Sequence, residues 1–541
     1  MNYKIKEPIL KYNKNDSIID KILKIRGINN KEEFINPPSS CLHSPFELSN
    51  MKEACMKILK AIYDKKVIGL FADIDCDGVS STAVMYKYLK QIGGNIKILY
   101  HQRKDNHGIK LSDVDKDIEF LIIVDSSTNS VEECKEISKR IDIVILDHHE
   151  SDIENPYATI VNPQLNNYPN KALSGSGVCY KTCQAIDEIL KTNYSYSVLD
   201  VAIIGLIGDM MDVSELETRY LILHGLYKIN NKNKCDKNLK LILKALKKDS
   251  NINSTTISFY IAPLINSIIR LNKIEDAIFI FINDNEKDVK DKIKECIKLN
   301  DKRKEIQKDI VNKLKEEIDN TNKAIVHIVN SDNGEKTLLG LVANNLMSIY
   351  KKPIILVSKN KDDGLLYGSA RNNSAINIKE IINNSKLCEA QGHEGSFGII
   401  GLSEENINKL IELLNNSIID KVGDIRTEVD LELKESEITM EQLEELEKLD
   451  MVVGQGFKEP QFLIKGLFKT DCKVMKDIHV KLLTQNLDCL KFNLEKDEVD
   501  KLTNCFAFDV IGGLSINSWY NFKTKKTIKT KQILINDINI Y

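Results

Sequence analysis

No hydrophobic run in this chain approaches the roughly 20 residues that a membrane-spanning helix needs. Met1-Asn2-Tyr3-Lys4-Ile5-Lys6 carries no apolar signal core with a small-residue cleavage site, so the sequence predicts a cytoplasmic protein with no membrane partner. The 12 cysteines include no Cys-x-x-Cys pair, which removes the usual zinc and dithiol-redox signatures. Reduced thiols are expected, with Cys179 and Cys183, one helical turn apart, buried together. Neither charge sign is in excess: 76 Lys and Arg face 79 Asp and Glu, a net of −3. Bulk charge therefore does not advertise a nucleic-acid binder, although metal-binding acids would distort that sum. No internal repeat is present.

What is present is an ordinary globular balance, 42 % hydrophobic and 29 % charged, over 541 residues, enough for three or four cores. Residues 1–45 are polar and end near Pro37-Pro38-Ser39-Ser40, which reads as a break before the first domain. From 46 to 225, apolar strand-like runs (Val67–Ala72, Phe120–Val124, Ile143–Leu146) alternate with helical stretches at Ser80–Gln91, Val131–Arg140 and Gly175–Leu190. That alternation predicts an α/β domain with a parallel, doubly wound sheet. Leu199–Met211 is apolar all round and reads as a buried helix. Residues 226–320 read as a helical linker whose charged stretch Asp284–Glu317 joins two lobes, and 321–423 as a second α/β domain with a glycine-rich turn at Gln391–Gly398.

Beyond 424 the texture changes. An acidic stretch to Asp450 contains Thr439 and Gln442 at capping-box spacing. Short strand-like runs follow at Phe462–Leu467, Val480–Leu483, Cys489–Phe492, Phe506–Ile511 and Gln532–Ile535, and predict a small OB-like β-barrel. Two lysine clusters, 465–481 and 523–531, are weak evidence for a nucleic-acid surface, since charge runs are usually solvated faces.

The chemistry concentrates in the first domain. Asp73-Ile74-Asp75-Cys76-Asp77-Gly78, Asp125 and Asp147-His148-His149 each follow an apolar strand, where open α/β sheets place their sites. An EF-hand would need a glutamate at the twelfth position counted from Asp73, and that position is Val84. So many acids at one point repel unless cations hold them together, and a carboxylate-imidazole set suits manganese or magnesium. Asp209 ends the buried apolar helix, where a carboxylate is costly unless paired or metal-bound, and joins the set. These residues predict a two-metal phosphoester hydrolase.

Together the motifs resemble the DHH phosphoesterase superfamily and, within it, the RecJ family of single-stranded-DNA exonucleases. The resemblance extends through Ile261-Ala262-Pro263-Leu264-Ile265-Asn266-Ser267-Ile268-Ile269-Arg270, through Gly368-Ser369-Ala370-Arg371 and Gly392-His393 of a DHHA1 domain, and through Val453–Pro460 and Asn517-Ser518-Trp519 of an OB barrel. Leu264, Ser267, Gln391 and Ser126-Ser127-Thr128 depart from the family pattern, as a divergent, phage-type member would. The resemblance implies a metal-dependent nuclease of DNA repair and recombination, cutting single strands 5′ to 3′ into 5′-mononucleotides. It implies two divalent cations, Mn2+ or Mg2+, one on Asp75 and Asp125 with Asp73 close by, the other on Asp77, Asp125, His148 and Asp209. Asp147 would orient the histidines, and His149 would contact the scissile phosphate. Arg103, His107, Arg270, Ser369, Arg371, His393 and Trp519 would hold the DNA. A monomer is expected, with single-stranded DNA as substrate and a single-stranded-DNA-binding protein or a helicase as partner. Two other readings remain: a DHH phosphodiesterase of short RNA or dinucleotides, which would normally stop before residue 425, and a non-catalytic DNA-binding scaffold, against which the filled metal positions argue.

Overall fold

Strand β1 (Tyr3–Ile5) and helix α1 (Ile18–Ile25) are the first elements in chain order. The computed structural model describes residues 1–101, 108–151, 153–330, 337–361, 363–374, 376–418, 427–521 and 525–541. Ser17 caps α1, which buries Ile18, Ile19, Ile22, Leu23 and Ile25. β1 pairs in parallel with Thr427–Val429, more than 400 residues away along the chain. The N-terminal segment, read as ending at a break near Pro37–Ser40 before the first domain, is thus joined to the C-terminal part by strand pairing.

The first α/β domain follows helix α2 (Met51–Tyr63). Its strands are β2 (Val67–Ala72), β3 (Asn95–Leu99), β4 (Phe120–Val124), β5 (Asp142–Leu146) and β6 (Thr159–Val161), all parallel, in the order β3-β2-β4-β5-β6. Strands covered on both faces need continuous apolar runs, and every residue of Phe120–Val124 is buried. The chain leaves β2 to one side for β3 and returns on the other for β4, so the topological switch lies between β2 and β4. Helix α3 (Cys76–Gln91) starts four residues earlier than the sequence suggests, because Asp75 caps it by accepting from the Gly78 N–H at 2.9 Å. Helix α4 (Val131–Ser138) is two residues shorter than expected, helix α5 occupies Gly175–Leu190 as read, and Cys179 and Cys183 are buried thiols. Helix α6 stops at Gly208 (Leu199–Gly208), with Asp209 as its C-cap and Met210 left-handed at φ 56°.

A π-helical turn, Ile257–Ile261, leads into α7 (Ala262–Arg270). Helix α8 (Glu286–Glu317), capped by Asn285, runs about 48 Å at 1.5 Å per residue. Val289, Ile293 and Cys296 join the core of the first domain, while Ile310, Val311 and Leu314 join that of the second, as a linking helix requires. The second domain is a mixed sheet ordered β10-β11-β9-β8-β7, of β7 (Ile325–Ile328), β8 (Ile354–Lys359), β9 (Leu366–Arg371), β10 (Glu389–His393) and β11 (Ser396–Leu402), with helix α9 (Leu339–Tyr350) against it. Only the β7–β8 pair is parallel.

The C-terminal sheet has seven strands, ordered β13-β14-β18-β19-β17-β16-β15. They are β13 (Leu431–Leu433), β14 (Phe462–Phe468), β15 (Asp471–Met475), β16 (His479–Leu483), β17 (Asp488–Lys491), β18 (Ala507–Asn521) and β19 (Lys526–Ile540); β12 (Thr427–Val429) pairs with β1. β18 and β19 are 15 residues each and pair as a ribbon from Phe508 to Asn521, so two runs read as short are the longest strands of the sheet. Thr439 caps helix α10 (Met440–Asp450) by accepting from the Gln442 N–H, which is half of the expected capping box. No helix among the described residues is long and apolar enough to cross a membrane.

Several lysines of the two clusters have partners within the protein. Lys465 meets Glu432 at 3.0 Å, Lys481 meets Asp488 at 2.6 Å, Lys529 meets Glu444 of α10 at 2.8 Å, and Lys531 donates to the Ile438 carbonyl. The acidic stretch and the basic strand, separate features in the sequence, partly neutralise each other.

Candidate functional site

Asp73 follows β2, Asp125 follows β4 and Asp147 follows β5, so the carboxyl ends of three adjacent strands deliver acids to the switch point. Asp125 reaches it in a left-handed conformation, φ 61°, with its N–H on the Leu146 carbonyl at 2.8 Å. A non-glycine residue held there is strained, and strain of that kind collects at functional sites. Asp75 and Asp77 come from the cap and first turn of α3, and Asp209 from the end of α6.

Three groups of ligand atoms each lie within 4.8 Å of one another: Asp73, Asp75 and Asp125; Asp77, His148 and Asp209; and Asp125, His148 and His149. His148 Nε2 lies 3.3 Å from Asp125 Oδ1, 3.4 Å from Asp209 Oδ2 and 4.0 Å from Asp77 Oδ2. Every sequence-predicted metal residue is thus brought to one place.

The surroundings are built for those carboxylates. Asp77 Oδ1 accepts from the Ser174 hydroxyl at 2.9 Å and the Ser176 N–H at 3.1 Å. A Cβ on Gly205 would lie 1.9 Å from Asp77 Oδ1, and one on Gly175 would lie 2.4 Å from Asp125 Oδ1. Ser174, Gly175, Ser176 and Gly205 escaped the sequence reading. The run Ser174-Gly175-Ser176-Gly177 opening a helix was the available signal, because small residues permit close approach of a neighbouring group.

Electrostatics divides the site. Burial first, then Asp77, Asp75 and Asp73, hold the Asp125 carboxyl well above the usual carboxylate range. Burial, then Asp77 and Asp75, push Asp209 up to about 8. Burial lowers His148, which is therefore a neutral imidazole with a lone pair to offer. His149 is the reverse: its Nδ1 sits 2.8 Å from Asp147 Oδ1, and that hydrogen bond raises it to about 9. Asp147 falls to about 2 despite burial, through its hydrogen bond to His149 and that ring's charge, helped by the Thr128 hydroxyl at 2.6 Å. It also accepts from the N–H groups of His148 and His149, fixing the turn that carries both rings.

The residues present fit divalent cations. Asp77 Oδ2 and Asp125 Oδ1 are buried with no hydrogen-bond partner among the described residues. A buried carboxylate oxygen left so is costly, and a cation would both satisfy it and draw its proton off.

Of the expected DNA contacts, Arg103 and His107 lie outside the described residues. Arg270 ends α7, and its Nη1 donates to the Thr337 carbonyl, just before α9, at 3.3 Å. A Cβ on Gly340, in the first turn of α9, would lie 2.6 Å from Arg371 Nη2 and 3.3 Å from Ser369 Oγ, so these side chains share the helix N-terminus. Register aligns His393, Ser396 and Arg371 in one row across β10, β11 and β9. Gln391, in place of a family glycine, is exposed beside that row, and Leu264, in place of an arginine, is fully buried. Trp519 is 40 % exposed on the β18–β19 ribbon, next to Tyr520 at 50 %.

Comparison with known proteins adds domain identities. Residues 67–206 match the DHH family N-terminal domain, 320–420 the DHHA1 domain and 429–529 the RecJ OB domain. A prophage SPbeta-derived protein of Bacillus subtilis (strain 168), named as a candidate single-strand DNA-specific exonuclease YorK, is 29 % identical over 96 % of this chain and 95 % of its own length. The single-stranded-DNA-specific exonuclease RecJ of the same organism is 26 % identical over 97 % of this chain and 69 % of its own. The crystal structure of Thermus thermophilus RecJ with Mn2+ superposes with a TM-score of 0.78 at 21 % identity, covering 96 % of this chain and 75 % of that one.

Proposed function

Because the chain carries the DHH N-terminal, DHHA1 and RecJ OB domains, we propose that it is a 5′-to-3′ exonuclease that hydrolyses single-stranded DNA to 5′-mononucleotides. The observation that carries this reading is the buried meeting of Asp125 and His148, 3.3 Å apart, between two groups of acids. Two divalent cations, Mn2+ or Mg2+, would supply there charge neutralisation and an activated water for in-line displacement at a phosphodiester. Asp73, Asp75 and Asp125 would hold one, and Asp77, Asp125, His148 and Asp209 the other.

The chain's own residues do the rest. Neutral His148 offers Nε2 as a ligand, and Asp147 keeps both rings in place. His149, charged at neutral pH, donates to a non-bridging phosphate oxygen and steadies the charge that grows there. Arg371 and Ser369 at the N-terminus of α9, with His393 in register, grip the backbone of the strand, where a helix N-terminus favours phosphate. Arg103 and His107, which lie outside the described residues, join this reading through the family resemblance alone. Arg270, beside Thr337, receives the terminal 5′-phosphate and so sets the polarity.

The test gives purified protein and Mn2+ four substrates: single-stranded DNA, duplex DNA, RNA and a cyclic dinucleotide. Mononucleotides should appear from single-stranded DNA alone. Mononucleotides released from the 3′ end of a strand whose 5′ end is blocked would overturn the assignment.

A further inference from the structure

Three neighbouring strands of the first sheet, β4, β5 and β6, each lead a residue into one buried chain of hydrogen bonds beside the acidic cluster. Asp147 directly follows β5, and Asn162 directly follows β6. Thr128 lies three residues beyond Asp125, in the Ser126-Ser127-Thr128 run that departs from the family pattern. Each of the three is 1 % exposed, so water does not replace a bond lost among them.

The donors give this chain a direction. The Asn162 side-chain oxygen accepts the Gln164 N–H at 2.8 Å, which turns the amide nitrogen towards the Thr128 hydroxyl at 3.2 Å and the His149 carbonyl at 2.9 Å. A hydroxyl has one proton to give. Thr128 Oγ1 accepts from Asn162, and its own proton goes to Asp147 Oδ2 at 2.6 Å. The Thr128 N–H adds a bond to the same oxygen at 3.1 Å. Asp147 Oδ1 takes up His149 Nδ1 at 2.8 Å.

His149 depends on the far end of that chain. Its side chain is 52 % exposed, and among the described residues its ring makes one hydrogen bond, to Asp147. The torsion that turns an aspartate carboxylate is broad and roughly two-fold, so Oδ1 keeps its place only if Oδ2 is held as well. Among the described residues, Thr128 is what holds Oδ2. Thr128 also closes a strained stretch, since Asp125 and Ser127 before it are left-handed at φ 61° and 76°. Such strain persists where the surrounding bonds fix it.

Resting on the reading in which His149 meets the scissile phosphate, we propose that Thr128 is a positioning residue whose hydroxyl, aimed by Asn162, fixes the direction of the His149 ring. It acts through Asp147 rather than on the phosphate itself. Charge grows on the phosphate oxygen as the bond breaks, and a ring already in place donates to it without rearranging. Loss of the hydroxyl therefore lowers kcat, while KM, set by the grip on the rest of the strand, changes little.

The test follows cleavage of a 5′-phosphorylated oligothymidylate with Mn2+ by the full-length protein, Thr128→Val, Thr128→Ser, His149→Ala and the double variant Thr128→Val/His149→Ala. Thr128→Val keeps the shape and loses the hydroxyl, and should lower kcat about tenfold with KM within about twofold of the parent. Thr128→Ser should recover most of that loss. In the His149→Ala background, Thr128→Val should change kcat by less than about twofold, because the ring it serves is gone. Asn162→Ala, which spares the hydroxyl but removes what aims it, should lower kcat with KM unchanged, and carries the test if Thr128→Val does not fold. A second readout needs neither cation nor substrate. The downfield Nδ1 proton resonance of His149, assigned by its absence in His149→Ala, should be present in the parent and in Thr128→Ser and broadened or lost in Thr128→Val. An equal loss of kcat in both backgrounds, or an unchanged resonance in Thr128→Val, would overturn the positioning role and leave the nuclease assignment standing. No cleavage by the parent would overturn the nuclease reading and the role of His149 with it.

Discussion

Asp125 is where the two acidic groups join, and its backbone and side chain are both held under strain to reach that point. Its φ of 61° and its carboxyl raised by burial and by Asp77, Asp75 and Asp73 mark a residue kept for chemistry rather than stability. Asp125→Ala should abolish cleavage and the Mn2+-dependent rise in melting temperature, with binding of single-stranded DNA retained. More than a few per cent residual activity would sink its assignment as the shared ligand. Gly205 serves the same site from behind. An alanine there would place its Cβ 1.9 Å from Asp77 Oδ1 and 2.2 Å from Ser176 Oγ, in a packed interior with nowhere to yield. Gly205→Ala is expected to cost about 1–3 kcal/mol in urea unfolding and to lower kcat by displacing Asp77. A variant with parental kcat and parental stability would show that Asp77 moves freely.

Among the elements, α10 carries an acid at the wrong end. Asp450, its last residue, is pushed up to about 7 by burial and then by Glu459 and Glu447. A carboxylate at a helix C-terminus also opposes the helix dipole. The folded state therefore binds this proton more tightly than the unfolded chain does. Its stabilising contribution is complete below about pH 4, falls as pH rises, and is gone above about pH 7. Asp450→Asn, which mimics the protonated form, should match the parent near pH 4 and exceed it near pH 8 by on the order of 2 kcal/mol. Denaturant midpoints at the two pH values check this, and an equal difference at both would refute the titration. The β18–β19 ribbon is the second element with a surplus, since it exposes Trp519 and Tyr520. Trp519→Ala should weaken binding to long single strands by about 1–3 kcal/mol in anisotropy titrations while leaving cleavage of short oligonucleotides unchanged. Equal losses on both substrates would make the ribbon structural.

Across the whole molecule, one stack of side chains ties the N-terminal segment to the first and last domains. Arg26 lies 4.4 Å from the Phe457 ring, Phe457 lies 4.8 Å from Phe34, and the Arg219 guanidinium lies 3.8 Å from the Phe34 ring and 5.5 Å from that of Phe457. Arg219 is fully buried, lowered to about 9 by that burial, and donates to the carbonyls of Phe34, Val213 and Val452. Arg26 in turn pairs with both oxygens of Asp430 at 2.8 and 2.9 Å. Removing Arg219 leaves three buried carbonyls without a donor and a cavity behind them. Arg219→Ala should therefore cost about 3 kcal/mol or more in urea unfolding. A loss below about 0.5 kcal/mol would mean that the stack carries no stability. Residues 1–45 and the C-terminal sheet share one hydrophobic cluster with the first domain, so cutting the sheet away would expose a buried apolar face.

The sequence by itself determined three of the five parallel strands of the first domain, the long linking helix and the acids and imidazoles that meet at the switch point. Continuous apolar runs, a charged helical stretch and carboxylates at strand ends are local patterns that mean the same thing wherever they fold. Periodicity could not reveal what depends on partners far away in the chain. Residues 1–45 look polar and detached because the faces that bury Ile18, Ile22 and Phe34 are completed by residues more than 400 positions later. Lys529 looks like a DNA contact until Glu444 is found 2.8 Å away. Asp77 looks like part of a turn until Asp75 caps the helix that contains it. Gly175 and Gly205 look ordinary until two carboxylates occupy the space their side chains would fill. Which groups are charged, which histidine is neutral and which donates were also decided only in three dimensions, because burial and neighbouring charge, not residue type, set the proton affinities.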